Sequence, residues 1–498
     1  MSLAPAWTST ADRSWGDRLL AERTLAITDL VNFGETARTA VVQLLQDTGL
    51  DPGIASRRPI RFVGSEPNYA TRHKIVLAAA VALGAQASAA EAWGRYNQGR
   101  GQDIEIDVLQ AAAGLCTVHY QRQHGYSMPS RPGAELKGGF YGTADGRWFY
   151  PIGPYPHLRN GILDMLECAN SELALARAIA KVPGAKLEEL FAARKLPGVF
   201  VRTRNEWLSH DQGKHLSATP VIAVEKIGDA QGSGPTTPPG PQSLSGLRVL
   251  DVSHVIAGPI AARTLAEQGA QVLRISAPHQ SDPTQQIMDT SIGKRSAFLD
   301  LELGRDVERL RQLCTTADVF VQSWRPGGMD RRGFSPNDVA AIRPGIVYVS
   351  VSAYGLEGPW APRGGFDQVG QVVSGISHDE GIGGRPRLVP TFLLNDYLTG
   401  YLAATGAVIG LLLRATQGGS YHVSVSLTRT SMWVQDFGKV NRPATTIDPA
   451  DLRPKLERRD SPFGLLDQVP PIAQFSLTPS RWELPPSPLG AHTPEWAE

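Results

Sequence analysis

The 498-residue sequence has almost no surplus of charge. Lys and Arg number 49, Asp and Glu 48, and the formal net charge is +1. That balance excludes a nucleic-acid coat and an acidic solvating tail. Cysteine is equally scarce. Cys116, Cys168 and Cys314 lie far apart, with no CxxC and no Cys/His cluster. A disulfide framework and a structural zinc site are not indicated, no metal is expected, and a reducing, cytoplasmic setting is. Long apolar runs are also missing. The longest uncharged stretches, Ile75–Ala90 and Leu398–Leu413, carry Gly, Gln or Thr and fall short of the ~18 residues of a membrane span, so they predict buried helices. The first residues contain acids and no apolar segment, unlike a signal peptide.

What the chain does have is glycine and proline, 51 and 37 residues. Gln231–Ser243 (QGSGPTTPPGPQS) is a linker by composition, since it cannot bury enough apolar surface to offset ordering entropy. Asn441–Glu498 holds 11 of the 37 prolines and is expected to wrap a surface in extended form. Length alone suggests roughly three domains at about 150 residues each. The expected division is 1–130, 131–230, the linker 231–243, 244–440 and the tail 441–498.

After the linker the chain alternates strand and helix. Arg248–Val252 is a strand, Ser253–Gly258 a loop, and Pro259 suits a first helical position. Ile260–Gln268 is a helix ended by Gly269, and Gln271–Ile275 is the next strand. Further strands are expected at Ser296–Leu301, Asp318–Ser323 and Ile346–Val351, with a helix at Arg305–Thr315. This pattern predicts an α/β fold with a parallel sheet covered on both faces. It is not a dinucleotide fold: the turn reads Ala257-Gly258-Pro259 rather than GxGxxG, and Ser276 stands where a ribose-binding acid would. Gly381–Gly384 (GIGG) lacks a strand–helix context and reads as a surface loop.

A faint repeat is present at an offset of 319. A helix ending in Arg414, then Gln417-Gly418, then His422–Leu427, echoes an Ala-rich helix, Arg95, Gln98-Gly99 and Asp103–Val108. Asp396 opens the second of these helices, and Leu77 holds its place in the first. A first-turn acid of this kind stabilises exposed amides. It can also be a nucleophile, kept ionised by the helix end. One carboxylate in two copies suggests one working site and one relic. Lys294-Arg295, Arg325 and Arg331-Arg332 fall at expected strand ends, where cations suit a phosphorylated ligand. Trp324 is placed either to stack on a base or to serve in the core or a lid, and His254 is a loop residue without a ligating partner.

Several ordered motifs now carry a resemblance: Leu244–Pro259 (LSGLRVLDVSHVIAGP), Gly269-Ala270-Gln271-Val272, Lys294-Arg295-Ser296 with Leu299-Asp300-Leu301, Ala317-Asp318-Val319, Arg325-Pro326-Gly327 and Tyr348–Pro359. Together they resemble the family III CoA-transferases, the CaiB/BaiF group that includes formyl-CoA and carnitine CoA-transferases and α-methylacyl-CoA racemase. The first half resembles the rest of that family through Arg95–Val108, Tyr141–Arg147 and Leu196–Trp207, as does Pro485–Trp496. The chain looks like a rearranged tandem fusion of a truncated first copy and a second copy.

The resemblance implies a Rossmann-like CoA-binding domain, a smaller α+β domain and a homodimer. It implies CoA transfer between an acyl-CoA and a carboxylic acid, with CoA as substrate and no permanent cofactor. Asp396 matches the nucleophilic aspartate. His254, Val255, Ile256 and Ala257 match the segment that touches CoA. Leu299, Trp324, Arg325 and Arg331 match further positions beside the nucleotide. Four positions depart from the pattern: Ser276, Ala277, Glu302 and Ser323 replace polar or charged groups expected near CoA. A racemase needs a second acid/base, and Phe366 stands where the racemases have His. That disfavours the racemase. A non-catalytic CoA-binding protein is the remaining alternative, opposed by the retained Asp396. Acyl specificity is expected in loops such as His378–Arg387 and in the small domain.

Overall fold

The computed structural model describes residues 32–51, 59–99, 101–128, 138–232, 240–280, 282–440 and 448–497. Much of the linker, 233–239, and the first 31 residues therefore lie outside the described residues.

One seven-stranded sheet dominates. Its strands are β1 (Ala223–Gly228), β2 (Arg248–Asp251), β3 (Gln271–Ser276), β4 (Lys294–Phe298), β5 (Val319–Gln322), β6 (Val347–Ser352) and β7 (Ser420–Ser426), in the order β4-β3-β2-β5-β6-β7-β1. β2 to β7 are parallel and β1 closes one edge antiparallel to β7. The central strands β5 and β6 are buried at every residue. Such strands read as apolar runs rather than alternations because helices cover both faces. The chain leaves β2 outward through β3 and β4, then returns to β5 on the other side of β2. That reversal opens a crevice beyond the carboxyl ends of β2 and β5, the usual ligand position in an open α/β sheet.

Four helices matter for the site: α1 (Ile75–Gln98), α2 (Ala257–Ala266), α3 (Asp367–Ser374) and α4 (Asn395–Gln417). Both α1 and α4 are long and apolar enough to cross a membrane, yet their apolar windows are 100% and 94% buried inside the protein. They are core helices, as their Gly, Gln and Thr content predicted. Gly400 lets α4 approach α2: a Cβ there would lie 2.6 Å from Ile260 Cγ2 and 2.9 Å from the Ala257 carbonyl oxygen.

The 319-residue repeat is present in three dimensions. The shift carries α1 onto 394–417, which is all of α4 and the residue before it. It carries Ile104–Asp107 onto 423–426 in β7. Phe62 pairs with Ile106 as Val351 pairs with Val425, both in parallel register. Gly99 and Gly418 follow the two helices with φ of 74° and 68°, a backbone that glycine adopts freely. Between strand and helix the first copy has only 64–74. The second has 353–394, including α3.

A smaller unit has the strands Tyr141–Gly142, Trp148–Pro151 and Gly198–Phe200 against the helices Pro156–Leu166, Glu172–Ile179 and Gly184–Ala193. Phe149, Ile162, Leu175, Ile179, Leu187 and Phe191 form its core. The tail does more than wrap. Ala473–Phe475 pairs with Ile104–Asp107, and Leu466–Gln468 pairs with Arg122–Gln123. Residues of the first 130 thus share sheets with the last 50, a long-range pairing that local pattern could not reveal.

Candidate active site

The carboxyl ends of β2, β3, β4 and β5 open into a cavity of about 900 Å³. Val252, His254, Val255 and Ala257 come from the loop after β2. Ser276, Ala277 and His279 follow β3, Leu299 and Glu302 follow β4, and Trp324 and Arg325 follow β5. The small unit supplies the opposite wall through Tyr155, His157, Lys195 and Pro197, and the tail adds Leu489. Asp396 and Phe366 also line it.

The loop after β2 is held by a buried ion pair. Lys294 Nζ donates to Asp251 Oδ2 at 2.7 Å and to the Pro259 carbonyl at 2.7 Å. Burial pushes Lys294 down to about 8, while Asp251, itself opposed by burial, is held below the usual carboxylate range by Lys294 and Arg274. Asp251 Oδ1 in turn accepts the Ser253 N–H at 3.1 Å and the Ser253 hydroxyl. Ser323, one of the four positions that depart from the resembled pattern, accepts the His254 N–H at 3.0 Å and donates to the His254 carbonyl at 3.3 Å. This departure ties the loop down rather than leaving it unsupported. The His254 ring lies 4.9 Å from the Trp324 ring, and burial lowers its pKa, which favours a neutral imidazole. Trp324 Nε1 donates to the Val252 carbonyl at 2.8 Å, fixing the indole in the wall.

Several expected contacts move. Lys294 is fully buried in its ion pair and faces no ligand. Ile256 is 1% exposed and packs into the core, since its side chain enters the apolar layer beneath α2. Its role can be through backbone only. Arg331 is exposed and does not line the cavity, whereas its neighbour Arg332 does. The 3-10 turn Asp330–Arg332 points consecutive side chains in different directions. Arg332 pairs with Glu302, so this acid, another of the four departures, neutralises a cavity cation. Arg325 is exposed at the mouth. The loop His378–Arg387 contributes no lining residue. Glu380 is instead buried against the first copy, accepting from His73 Nδ1 at 2.7 Å and Thr71 Oγ1 at 2.8 Å.

Asp396 is 5% exposed, in the first turn of α4. It does not cap its own helix. Asp367 does so from α3, accepting the N–H groups of Leu394 and Asp396, each at 2.8 Å, on Oδ2. Gln371 Nε2 donates to Asp367 Oδ1 at 2.6 Å. Asp367 thus takes the stabilising amides, and no hydrogen bond reaches the Asp396 carboxyl from the described residues. Burial, then the neighbouring Asp367 charge, raises Asp396 well above the usual range. Burial also pushes Asp367 up, to about 6, against its hydrogen bonds. The expectation that the helix end would lower the Asp396 pKa is therefore reversed: burial and a like charge outweigh the dipole. Sequence reading missed Asp367 because its role depends on α3 meeting α4.

A carboxylate with both oxygens unengaged, at the wall of a cavity and away from bulk water, is suited to nucleophilic attack. Its raised pKa sets the condition: the group must lose its proton to react. The rate of covalent reaction is expected to keep rising with pH well beyond the range in which an ordinary aspartate, near ~4, has already ionised. Single-turnover rates from pH 4.5 to 8 test this. A flat profile down to pH 5 contradicts it.

Residues 244–464 match the family described as CoA-transferase family III. The acetyl-coenzyme A transferase nodX of Hypoxylon pulicicidum is 31% identical over 348 residues, 65% of this chain and 57% of its own length. The succinyl-CoA–L-malate CoA-transferase alpha subunit of Chloroflexus aurantiacus is 29% identical over 263 residues, 47% and 58% of the two chains. A crystal structure of a CAIB/BAIF family protein from Brucella suis matches at 25% identity over 39% of this chain and 55% of that chain, with a TM-score of 0.36. The chain spans about half the length of the curated relatives it matches.

Proposed function

We propose that the cavity binds an acyl-CoA and that Asp396 passes its CoA to a carboxylic acid, in keeping with the match of residues 244–464 to CoA-transferase family III. The carrying observation is the placement of Asp396 in the same cavity as the strand ends after β2, β4 and β5. An Asp396 oxygen attacks the thioester carbonyl, the C–S bond breaks, and a mixed anhydride and CoA thiolate result. The thiolate then attacks the aspartyl carbonyl, the donor acid departs, and Asp396 is left as a CoA thioester. An acceptor carboxylate repeats the sequence in reverse. Each step exchanges one acyl bond, so no redox partner is required, and no net proton is consumed. CoA is the substrate; the proposal involves no permanent cofactor.

The single chain supplies both walls of the cavity, because Tyr155 and Lys195 of the small unit face the strand ends. A homodimer is thus an additional assembly, not a requirement for the lining. A cytoplasmic setting fits three free cysteines, two of them buried. The test is mass spectrometry of the Asp396 peptide after incubation with each of a panel of acyl-CoAs, and then treatment with hydroxylamine or borohydride. A modified Asp396 supports the reading, and an unmodified peptide in protein shown to bind CoA refutes it. Exchange of an α-hydrogen with solvent deuterium would support the racemase instead.

Glu302 gives a second check. Its pairing with Arg332 is part-exposed, so it is screened by salt. Glu302→Gln frees Arg332 for the CoA phosphates, and the KM for acetyl-CoA is expected to fall about threefold at low salt, an effect lost in ~0.5 M salt. An unchanged KM at low salt would show that Arg332 does not face the nucleotide.

A further inference from the structure

We propose that Asp282 is a positioning residue that locks the small unit onto the CoA loop, with Tyr155 as its small-unit partner. The inference rests on the acyl-CoA reading above. It begins from a motif that reading leaves unused, Gly153-Pro154-Tyr155-Pro156. Pro156 opens the helix Pro156–Leu166, and a residue before proline is driven to extended backbone. Tyr155 indeed has φ −112° and ψ 146°. Proline on both sides makes this a stiff mount, and it aims the ring across the cavity.

Tyr155 donates its hydroxyl to Asp282 Oδ1 at 2.8 Å, and its ring stacks on Phe366 at 6.1 Å between centroids. Phe366 directly precedes Asp367, the cap of α4. The other oxygen of the same carboxylate, Oδ2, accepts the Val255 N–H at 3.1 Å and Arg274 Nη2 at 2.8 Å. Arg274 is anchored by Thr290 Oγ1 and Ser291 Oγ at 3.1 and 3.0 Å, so the acceptor is held in place. Asp282 is 7% exposed, and it lines the cavity with Tyr155, Val255 and Arg274.

Val255 shows why such a lock is needed. Its φ is +67°, a left-handed backbone that a β-branched side chain disfavours. Conformations of this kind persist only where the surroundings over-determine them. The Asp282 bond is one such constraint, and it lies in the loop whose backbone faces the cavity. One carboxylate therefore carries the small unit on one oxygen and the strained loop on the other. Movement of the small unit away from the sheet would loosen both at once.

The test compares full-length wild type with Tyr155→Phe, which keeps the ring and removes one bond. Calorimetric titration with CoA and steady-state kinetics with acetyl-CoA are the readouts. Tyr155→Phe is expected to raise the CoA Kd and the acetyl-CoA KM about tenfold, with kcat changed less than about threefold. Asp282→Asn should do the same, and adding Tyr155→Phe to it should cost no more than about threefold further, because both act through one contact. If Asp282→Asn fails to fold for want of a counter-charge to Arg274, Val255→Gly takes its place. Glycine accepts φ +67° freely, so Tyr155→Phe should weaken CoA binding less in that background. Wild-type CoA affinity in Tyr155→Phe overturns the proposal. Failure of Asp396 to become modified, with CoA binding still lost in Tyr155→Phe, would overturn the transferase reading and leave this lock standing.

Discussion

Asp396→Asn is expected to abolish the covalent intermediate and reduce turnover by roughly 10⁴-fold or more, the scale of removing a nucleophile. The amide keeps the shape of the side chain, so CoA affinity should change little. The same substitution is expected to stabilise the fold at neutral pH. Asp396 and Asp367 are both raised above their unfolded values, by burial and, for Asp396, by the neighbouring charge. Groups raised in this way favour the folded state while protonated, below about pH 4, and that contribution is lost as pH rises through their folded values, about 6 for Asp367. Asp396→Asn removes one member of the pair and should make the protein more stable than wild type at pH 8. The gain should vanish below about pH 4, where wild type is protonated as well. Denaturant melts at the two pH values measure it. A variant less stable than wild type at pH 8 would mean that the two carboxyls do not oppose one another. Active sites commonly hold such stored instability.

Lys294→Met is the second large effect. The substitution leaves Asp251 buried, 0% exposed, with no ammonium beside it. Breaking one side of a buried ion pair costs about 3–5 kcal/mol, because the surviving charge has lost its compensation. For a chain of this size the melting temperature should fall by about 3–5 °C. The lost bond to the Pro259 carbonyl also releases the first turn of α2, and with it the loop 253–256. CoA binding should weaken even where the protein remains folded. Lys294→Met combined with Asp251→Asn should recover part of the stability and less of the binding, since the amide oxygen can still accept from Ser253 while the bond to the Pro259 carbonyl stays lost. Equal melting of Lys294→Met and wild type would show that the pair is not a structural charge pair.

The sequence made the parallel sheet legible because its strands are mostly buried and bounded by turn residues. Arg248–Val252 and Gln271–Ile275 were placed within a residue of β2 and β3. The strand expected at Ser296–Leu301 lies two residues earlier, and this shift is what frees Leu299 to line the cavity. Asp396 stands out as a candidate through the repeat, by contrast with Leu77, and it lines the cavity. Its ionisation was misread, since the helix end is visible in sequence and the approach of Asp367 is not. Lys294 and Arg331 were misread for a related reason. Basic residues at strand ends look alike in sequence, and only packing separates a core ion pair from a ligand contact. Asp282 and Tyr155 lie 127 residues apart, and no local pattern joins them.

The strand Ile104–Asp107 takes its antiparallel neighbour from Ala473–Phe475. During synthesis this edge stays unpaired while some 370 intervening residues are made, roughly 20 to 70 s at ribosomal rates of about 5–20 residues per second. An open edge carrying Ile104 and Ile106 is a template for pairing with another chain. The early part of the chain therefore emerges with an aggregation hazard that only its late part removes, and its yield in a cell should depend on what shields that edge meanwhile.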